Sequence, residues 1–144
     1  MVKFKSCCFQ ADKINANGRI YSQEIIEKVY QDIQENDIPL LYELPDDPYD
    51  FDNICGKIEK AYIKNNELWI EGSTFDSQND IIVASINDVI SNKKMPVYCC
   101  ATGIGEVDNE GKISNYNLTA VALCVSCSFD TKPLEVIEEN DKNS

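Results

Sequence analysis

The sequence contains no histidine, and that absence restricts its chemistry more than any residue it carries. Triads that use imidazole as the base are excluded, as are most zinc sites with mixed ligands. Positive charge is scarce too: 13 lysines and arginines face 25 aspartates and glutamates, a formal net charge of −12. Nucleic-acid and anionic-membrane surfaces need clustered cations, so neither partner is expected. No run approaches the roughly 18 apolar residues of a spanning helix. The first residues, Met-Val-Lys-Phe-Lys-Ser, lack the apolar region of a signal peptide, so the expected location is the cytosol. Internal repeats and an interdomain linker are also missing. Gly103-Ile-Gly105 is not followed by Lys-Ser/Thr and a helix, so it is no phosphate loop. It is expected to permit a bulge or a close backbone approach.

What is present describes a globular protein. At 144 residues, with 43% hydrophobic and 26% charged residues, the chain suffices for one domain with a continuous core. Seven cysteines (Cys7, Cys8, Cys55, Cys99, Cys100, Cys124 and Cys127) are expected as reduced thiols acting as small hydrophobes. Cys124-x-x-Cys127 has the spacing of half a zinc knuckle, which Cys99-Cys100 would complete. Strand alternation, however, puts Cys124 and Cys127 on opposite faces unless a bulge intervenes. No metal or cofactor is expected. The four aspartates of Leu44-Pro-Asp-Asp-Pro-Tyr-Asp-Phe-Asp52 match no EF-hand spacing and read as a solvated loop.

Along the chain, residues 2–9 alternate as a first strand. Asn17-Gly18 marks a turn. A helix follows to about Glu35, capped by Ser22, stapled by Tyr21 and Ile26, and striped by Ile25, Ile26, Val29, Tyr30 and Ile33. Residues 37–43 read as a short buried strand. Residues 54–64 and 67–75 form a hairpin across Asn65-Asn66, with Tyr62 and Trp69 packed across it. A second helix over residues 79–91 carries Ile81, Ile82, Ile86, Val89 and Ile90 on one side, and Asn92-Lys-Lys ends it. Asp108-Asn-Glu-Gly111 turns residues 103–107 into 112–116. The apolar run 118–129 suggests a central strand covered on both faces. From Leu134 the tail is acidic and polar. The expectation is one α+β domain over residues 1–133 with an acidic tail over 134–144. The domain is a mainly antiparallel sheet or barrel of about six to seven strands with two amphipathic helices.

In order and spacing these segments resemble the head-maturation (prohead) serine proteases of tailed bacteriophages, whose fold is related to herpesvirus assemblin. Asn15-Ala-Asn-Gly-Arg-Ile-Tyr21 is similar to that family's Asn-Gly-Arg-Ile/Val-Tyr signature. Tyr42-Glu-Leu-Pro-Asp-Asp-Pro48 lies where the family has Gly-Glu-Leu-x-His-Pro, and residues 57–72 are similar to its hairpin. Tyr98-Cys-Cys-Ala-Thr-Gly-Ile-Gly105 occupies the place of Val-Ser-Ser-Arg-Gly-x-Gly. Residues 115–126 track its Tyr-x-Leu-x-Gly-x-Asp-x-Val strand. The resemblance covers about residues 13–130.

The departures fall on the chemistry. The resemblance puts the family's serine nucleophile at Cys100 or Ala101, its arginine at Thr102 and its histidine at Asp46 or Asp47. A carboxylate of pKa ~4 is a poor base toward a hydroxyl, and it raises a neighbouring thiol's pKa. Losing the arginine removes a fixed charge for an oxyanion. The expected function is therefore a catalytically inactive, prohead-protease-like protein in phage head assembly. Its expected partners are capsid or core proteins, with self-association as a further option, and its location the virion or the host cytoplasm. One alternative is an active peptidase with Cys100 as nucleophile and Asp46, Asp47 or Glu43 as its partner. Another is an acidic phage protein that binds and inhibits a host factor. Arg19, one of very few arginines, is expected to pair with a loop carboxylate such as Glu43.

Overall fold

The computed structural model describes residues 1–47, 52–76 and 80–137. Part of the aspartate loop (48–51), residue 79 of the second expected helix and tail residues 138–144 lie outside the described residues. The elements are β1 (Lys3–Gln10), α1 (Gln23–Glu35), β2 (Pro39–Leu41), β3 (Ile54–Lys64), β4 (Glu67–Thr74), α2 (Ile81–Ser91), β5 (Tyr98–Val107), β6 (Ile113–Cys124) and β7 (Glu135–Val136). They build one mixed seven-stranded sheet of order β5-β6-β2-β3-β4-β1-β7, antiparallel except where β2 runs parallel to β6. This is the expected α+β class.

The helix and hairpin signals act where they were read. Ser22 Oγ accepts from the Ile25 N–H at 3.3 Å, and Ile25, Ile26, Val29 and Ile33 are buried against the sheet. Asp32, on the same helix, takes the Leu118 N–H at 3.1 Å, where the β5–β6 register slips between Thr102 and Gly103. One polar side chain thereby docks α1 onto β6, the strand paired with β5. At the β3–β4 turn, Asn65 and Asn66 adopt φ of 52° and 63°, the left-handed pair a two-residue hairpin needs. Tyr62 and Trp69 stack across it at 6.4 Å and 7°.

Four expectations are corrected. The sheet does not close into a barrel: β1 already pairs with β4 on one edge, and β7 takes the other through Phe4↔Val136 and Lys5↔Glu135. That pairing lies at the start of the expected tail, where Leu134 N–H also bonds the Val97 carbonyl at 2.8 Å. The separate runs 112–116 and 118–129 are one strand, β6, which stops at Cys124 and bends at Val125 and Ser126. As expected, its two faces are covered, Val121 and Leu123 by the main core and Ala120 and Ala122 by Leu41. Finally, α2 buries Val83 and Ile90, while Ile81 and Ile82 are 84% and 49% exposed. Asp80 caps it through the Ile82 and Val83 N–H groups at 3.0 and 3.1 Å, which sets Val83 on the inner face.

Candidate functional site

The Asn-Gly-Arg segment is a bracket. Asn15 Oδ1 accepts from the N–H groups of Asn17 (2.9 Å) and Arg19 (3.0 Å), closing the loop on itself. Its amide donates to Ser128 Oγ at 3.3 Å, and the Ala16 N–H bonds the Ser128 carbonyl at 2.8 Å. The far side of the loop bonds the β5–β6 turn, Ile20 N–H to the Gly111 carbonyl at 2.8 Å and Ile113 N–H to the Ile20 carbonyl at 2.9 Å. A Cβ on Gly111, whose φ is +89°, would stand 2.0 Å from the Gly18 carbonyl oxygen, so only glycine permits this approach. Replacing Asn15 by alanine should destabilise the protein by about 2 kcal/mol, since it removes the three hydrogen bonds that one buried side chain makes in an otherwise exposed loop. Asn15→Asp should retain most of the stability, because both accepted bonds survive. A urea titration showing less than about 0.5 kcal/mol lost in Asn15→Ala would remove the bracket from the account.

Between this bracket and β5 lies a cleft of about 550 Å³, lined among others by Asn15, Arg19, Pro45, Thr102, Gly103 and Ser128. Ala101 and Thr102 border it directly. The Thr102 hydroxyl is buried without a hydrogen-bond partner, although the Thr102 carbonyl accepts from Thr119 Oγ1 at 3.0 Å. Below lie Tyr21 and Tyr116, edge-on to one another at 5.6 Å. Burial pushes both phenols up, and Arg19 partly offsets this for Tyr21 by hydrogen-bonding its hydroxyl. Arg19 is thus engaged with Tyr21, while Glu43 accepts from Asn53 Nδ2 at 3.3 Å. The expected Arg19–Glu43 pair gives way to two shorter-range partnerships.

Cys100 lies one residue from the cleft wall, half-buried, and its thiol donates to the Ser126 carbonyl at 3.3 Å. Opposite it, the bend at Val125 and Ser126 returns the chain so that Cys124 and Cys127 both act electrostatically on Cys100. The expected separation of Cys124 and Cys127 to opposite faces fails because the strand ends between them. The neighbouring Cys124 and Cys127 sulfurs, aided by burial, disfavour the Cys100 thiolate and push its pKa far up. Cys127 is pulled down to about 6, first by Cys100's hydrogen bond and further by the Phe129 N–H, the Thr131 hydroxyl and the Ser128 N–H, against burial. The same donor draws Cys124 down. Cys7, Cys55 and Cys99 are pushed up to about 12 by burial, and Cys8 well above its ordinary value. Among the described residues, no group of three or more cysteine, aspartate or glutamate side chains is placed to hold a metal ion.

The positions singled out in sequence therefore separate. Cys100, Ala101 and Thr102 are consecutive on β5, with Cys100 turned to the thiols and Thr102 buried at the cleft wall. Asp46 and Asp47 are exposed, one and two residues past the cleft-lining Pro45. Sequence reasoning missed Ser128, 113 positions from its partner Asn15, and Cys127 as the most acidic thiol. The available signal for Cys127 was the run of small polar residues around it, which lets backbone N–H groups reach a sulfur.

No protein-family model matches the chain, and no curated protein matches it. Among solved structures the fold is similar to that of the bacteriophage T4 capsid assembly protease, gp21. The TM-score is 0.71 at 20% identity, with 84% of this chain and 79% of that chain covered. At this identity the likeness shows the fold: that of a phage capsid assembly protease, as the ordered segments from Asn15 to Ser126 implied. No helix among the described residues is long and apolar enough to cross a membrane.

Proposed function

We propose that this chain is a catalytically inactive protein of the capsid-protease fold, acting as a head-assembly or capsid-associated component of a bacteriophage. The observation that carries this reading is the segment Cys100-Ala101-Thr102, set on a fold similar to that of a capsid assembly protease. A hydrolase needs a nucleophile and a base at one place. Here the Cys100 thiol is held protonated by its sulfur neighbours, Ala101 offers no nucleophile, and the Thr102 hydroxyl is buried without a partner. The chain has no histidine to serve any of them. What the scaffold still offers is the cleft, whose walls come from the bracket, the loop after β2 and β5. A cleft of this kind on a protease fold suits an extended segment of a capsid or core protein, bound and left uncut.

The purified protein is expected to co-sediment with capsids or with capsid protein. Absence from particles and assembly intermediates would overturn the assembly role. Recovery of a host protein instead of capsid protein in a pull-down would favour the acidic host-factor inhibitor. Autocleavage, or cleavage of capsid protein abolished by Cys100→Ala, would overturn inactivity.

A further inference from the structure

Helix α2 carries two apolar sides. Val83 and Ile90 face the core and are buried. At about 100° per residue, Ile82, Ile86 and Val89 fall together on a neighbouring flank, where Ile82 is 49% exposed. Beside that flank runs a groove of about 220 Å³, whose walls include Tyr42, Ile86, Val89, Leu123 and Val125. Val125, just past the end of β6, is 65% exposed. Ser85 also borders the groove, but its hydroxyl donates back to the Ile81 carbonyl at 2.9 Å. That wall therefore presents no hydroxyl in want of a partner. The groove shares no lining residue with the cleft beside β5.

We infer that this flank is a self-association surface: two copies of the chain pair their α2 helices antiparallel about a two-fold axis, each apolar flank seated against the other's groove.

Charge selects a second copy as the occupant. The chain carries −12 overall, so two copies repel one another over most approaches. Residues 80–94 are neutral, with Asp80 and Asp88 balanced by Lys93 and Lys94. Their charges are also sorted by end: Asp80 precedes the helix and both lysines follow it. Asp88 and Lys94 already pair at 2.5 Å. Asp80 caps the helix through Oδ1 alone, which leaves Oδ2 for a further partner. Lys93 makes no ion pair among the described residues. Antiparallel pairing brings the Asp80 end of each helix to the Lys93 end of the other, and it opposes the two helix dipoles. Parallel pairing would set like ends together. A partner of one charge sign would match one end of α2 and be repelled at the other. A two-fold contact uses one patch on both copies and closes at two. One helix flank and the groove beside it supply less than the roughly 800 Å² per partner of a standard interface, so the dimer is weak and concentration-dependent.

The experiment is sedimentation equilibrium of the full chain in reductant, from about 5 to about 500 µM. The expected result is a monomer–dimer equilibrium with a Kd on the order of 50 µM. Ile82→Asp should raise Kd at least about thirtyfold, since a carboxylate enters the apolar contact from both copies. Aspartate in the first turn suits the helix dipole, so this variant keeps its fold, which circular dichroism checks. Lys93→Glu should raise Kd about tenfold. Lys60→Glu makes the same change in net charge on β3, outside α2 and its groove, and should leave Kd within about twofold. A monomer at every concentration would overturn the inference. So would a dimer that Ile82→Asp leaves intact, growth beyond two copies, or equal weakening by Lys60→Glu and Lys93→Glu. No readout involves a capsid, so failure here leaves the assembly role standing.

Discussion

Raised from pH 8 to pH 11 in reductant, the protein should lose at least about 6 kcal/mol of stability and unfold without added denaturant or with very little. The cause is the enclosed thiols. Cys8 and Cys99 are 2% and 0% exposed, and burial lifts Cys99 from 9.0 to about 12 and Cys8 well above 9.0. In the unfolded chain these thiols ionise near pH 9, whereas in the folded protein they hold their protons. Above pH 9 the unfolded state therefore binds fewer protons than the folded state, and stability falls as pH rises. The stabilisation is complete below pH 9 and is lost progressively up to about 12. Each thiol contributes about 1.4 kcal/mol per pH unit across that window, so the pair gives about 3 kcal/mol per unit. Cys7 and Cys55, lifted to about 12 as well, act in the same direction, so the figure for the pair is a lower bound. Cys127 acts with the opposite sign: its depressed pKa adds stability that is fully present above pH 9 and lost as pH falls through about 6. It leaves the alkaline limb unaltered. Urea midpoints at pH 8, 9, 10 and 11 measure the slope. Cys99→Val, which keeps the volume and removes the proton, should flatten it by about 1.4 kcal/mol per unit. A midpoint constant from pH 8 to 11 would show that these thiols ionise in place.

Local rules carried the sequence reading as far as local structure extends. Ser22, the Ile25-to-Ile33 stripe and Asn65-Asn66 act through bonds and contacts within a few residues, and each does in the fold what its chemistry dictates. The order of segments around Asn15, Lys57 and Gly103 carried the fold class. The barrel failed because a two-residue strand, Glu135 and Val136, takes the edge of β1 that closure needs; no period can be read from so short a strand. The inner face of α2 was legible but misread: at about 100° per residue, Val83 shares a side with Ile86 and Ile90, while Ile81 lies between Ser85 and Asp88 on the polar side. Candidate-site residues were legible on β5, where they are consecutive. Their surroundings were not. Residues 118–129 contain neither glycine nor proline, so nothing announced the bend that brings Cys127 back to Cys100. Arg19 looked toward a carboxylate on charge grounds, but Tyr21, two residues away, holds it.

Truncating Phe9 to alanine should cost about 4 kcal/mol and lower Tm by roughly 15 °C. Phe9 is 1% exposed at the centre of a ring cluster, edge-on to Tyr21 at 5.1 Å, Tyr116 at 6.0 Å and Phe129 at 5.7 Å. Its removal leaves a cavity that rigid rings cannot collapse to fill, and forfeits three aromatic contacts beyond the lost burial. Phe9→Leu keeps most of the volume and should lose about half as much. The effect should also reach the cleft. Tyr21, Tyr116 and Ser128 line it, and Phe129 follows Ser128 in the chain. Loosening that anchor loosens the bond from the Ala16 N–H to the Ser128 carbonyl, so in Phe9→Ala the Ala16 amide should exchange faster with solvent. If stability falls but that exchange rate stays, the loop is held by the Asn15–Ser128 contacts alone. If less than about 1.5 kcal/mol is lost, Phe9 is no keystone and the cluster repacks without it. Both effects together would show one aromatic core setting the stability of the fold and the seating of its cleft wall.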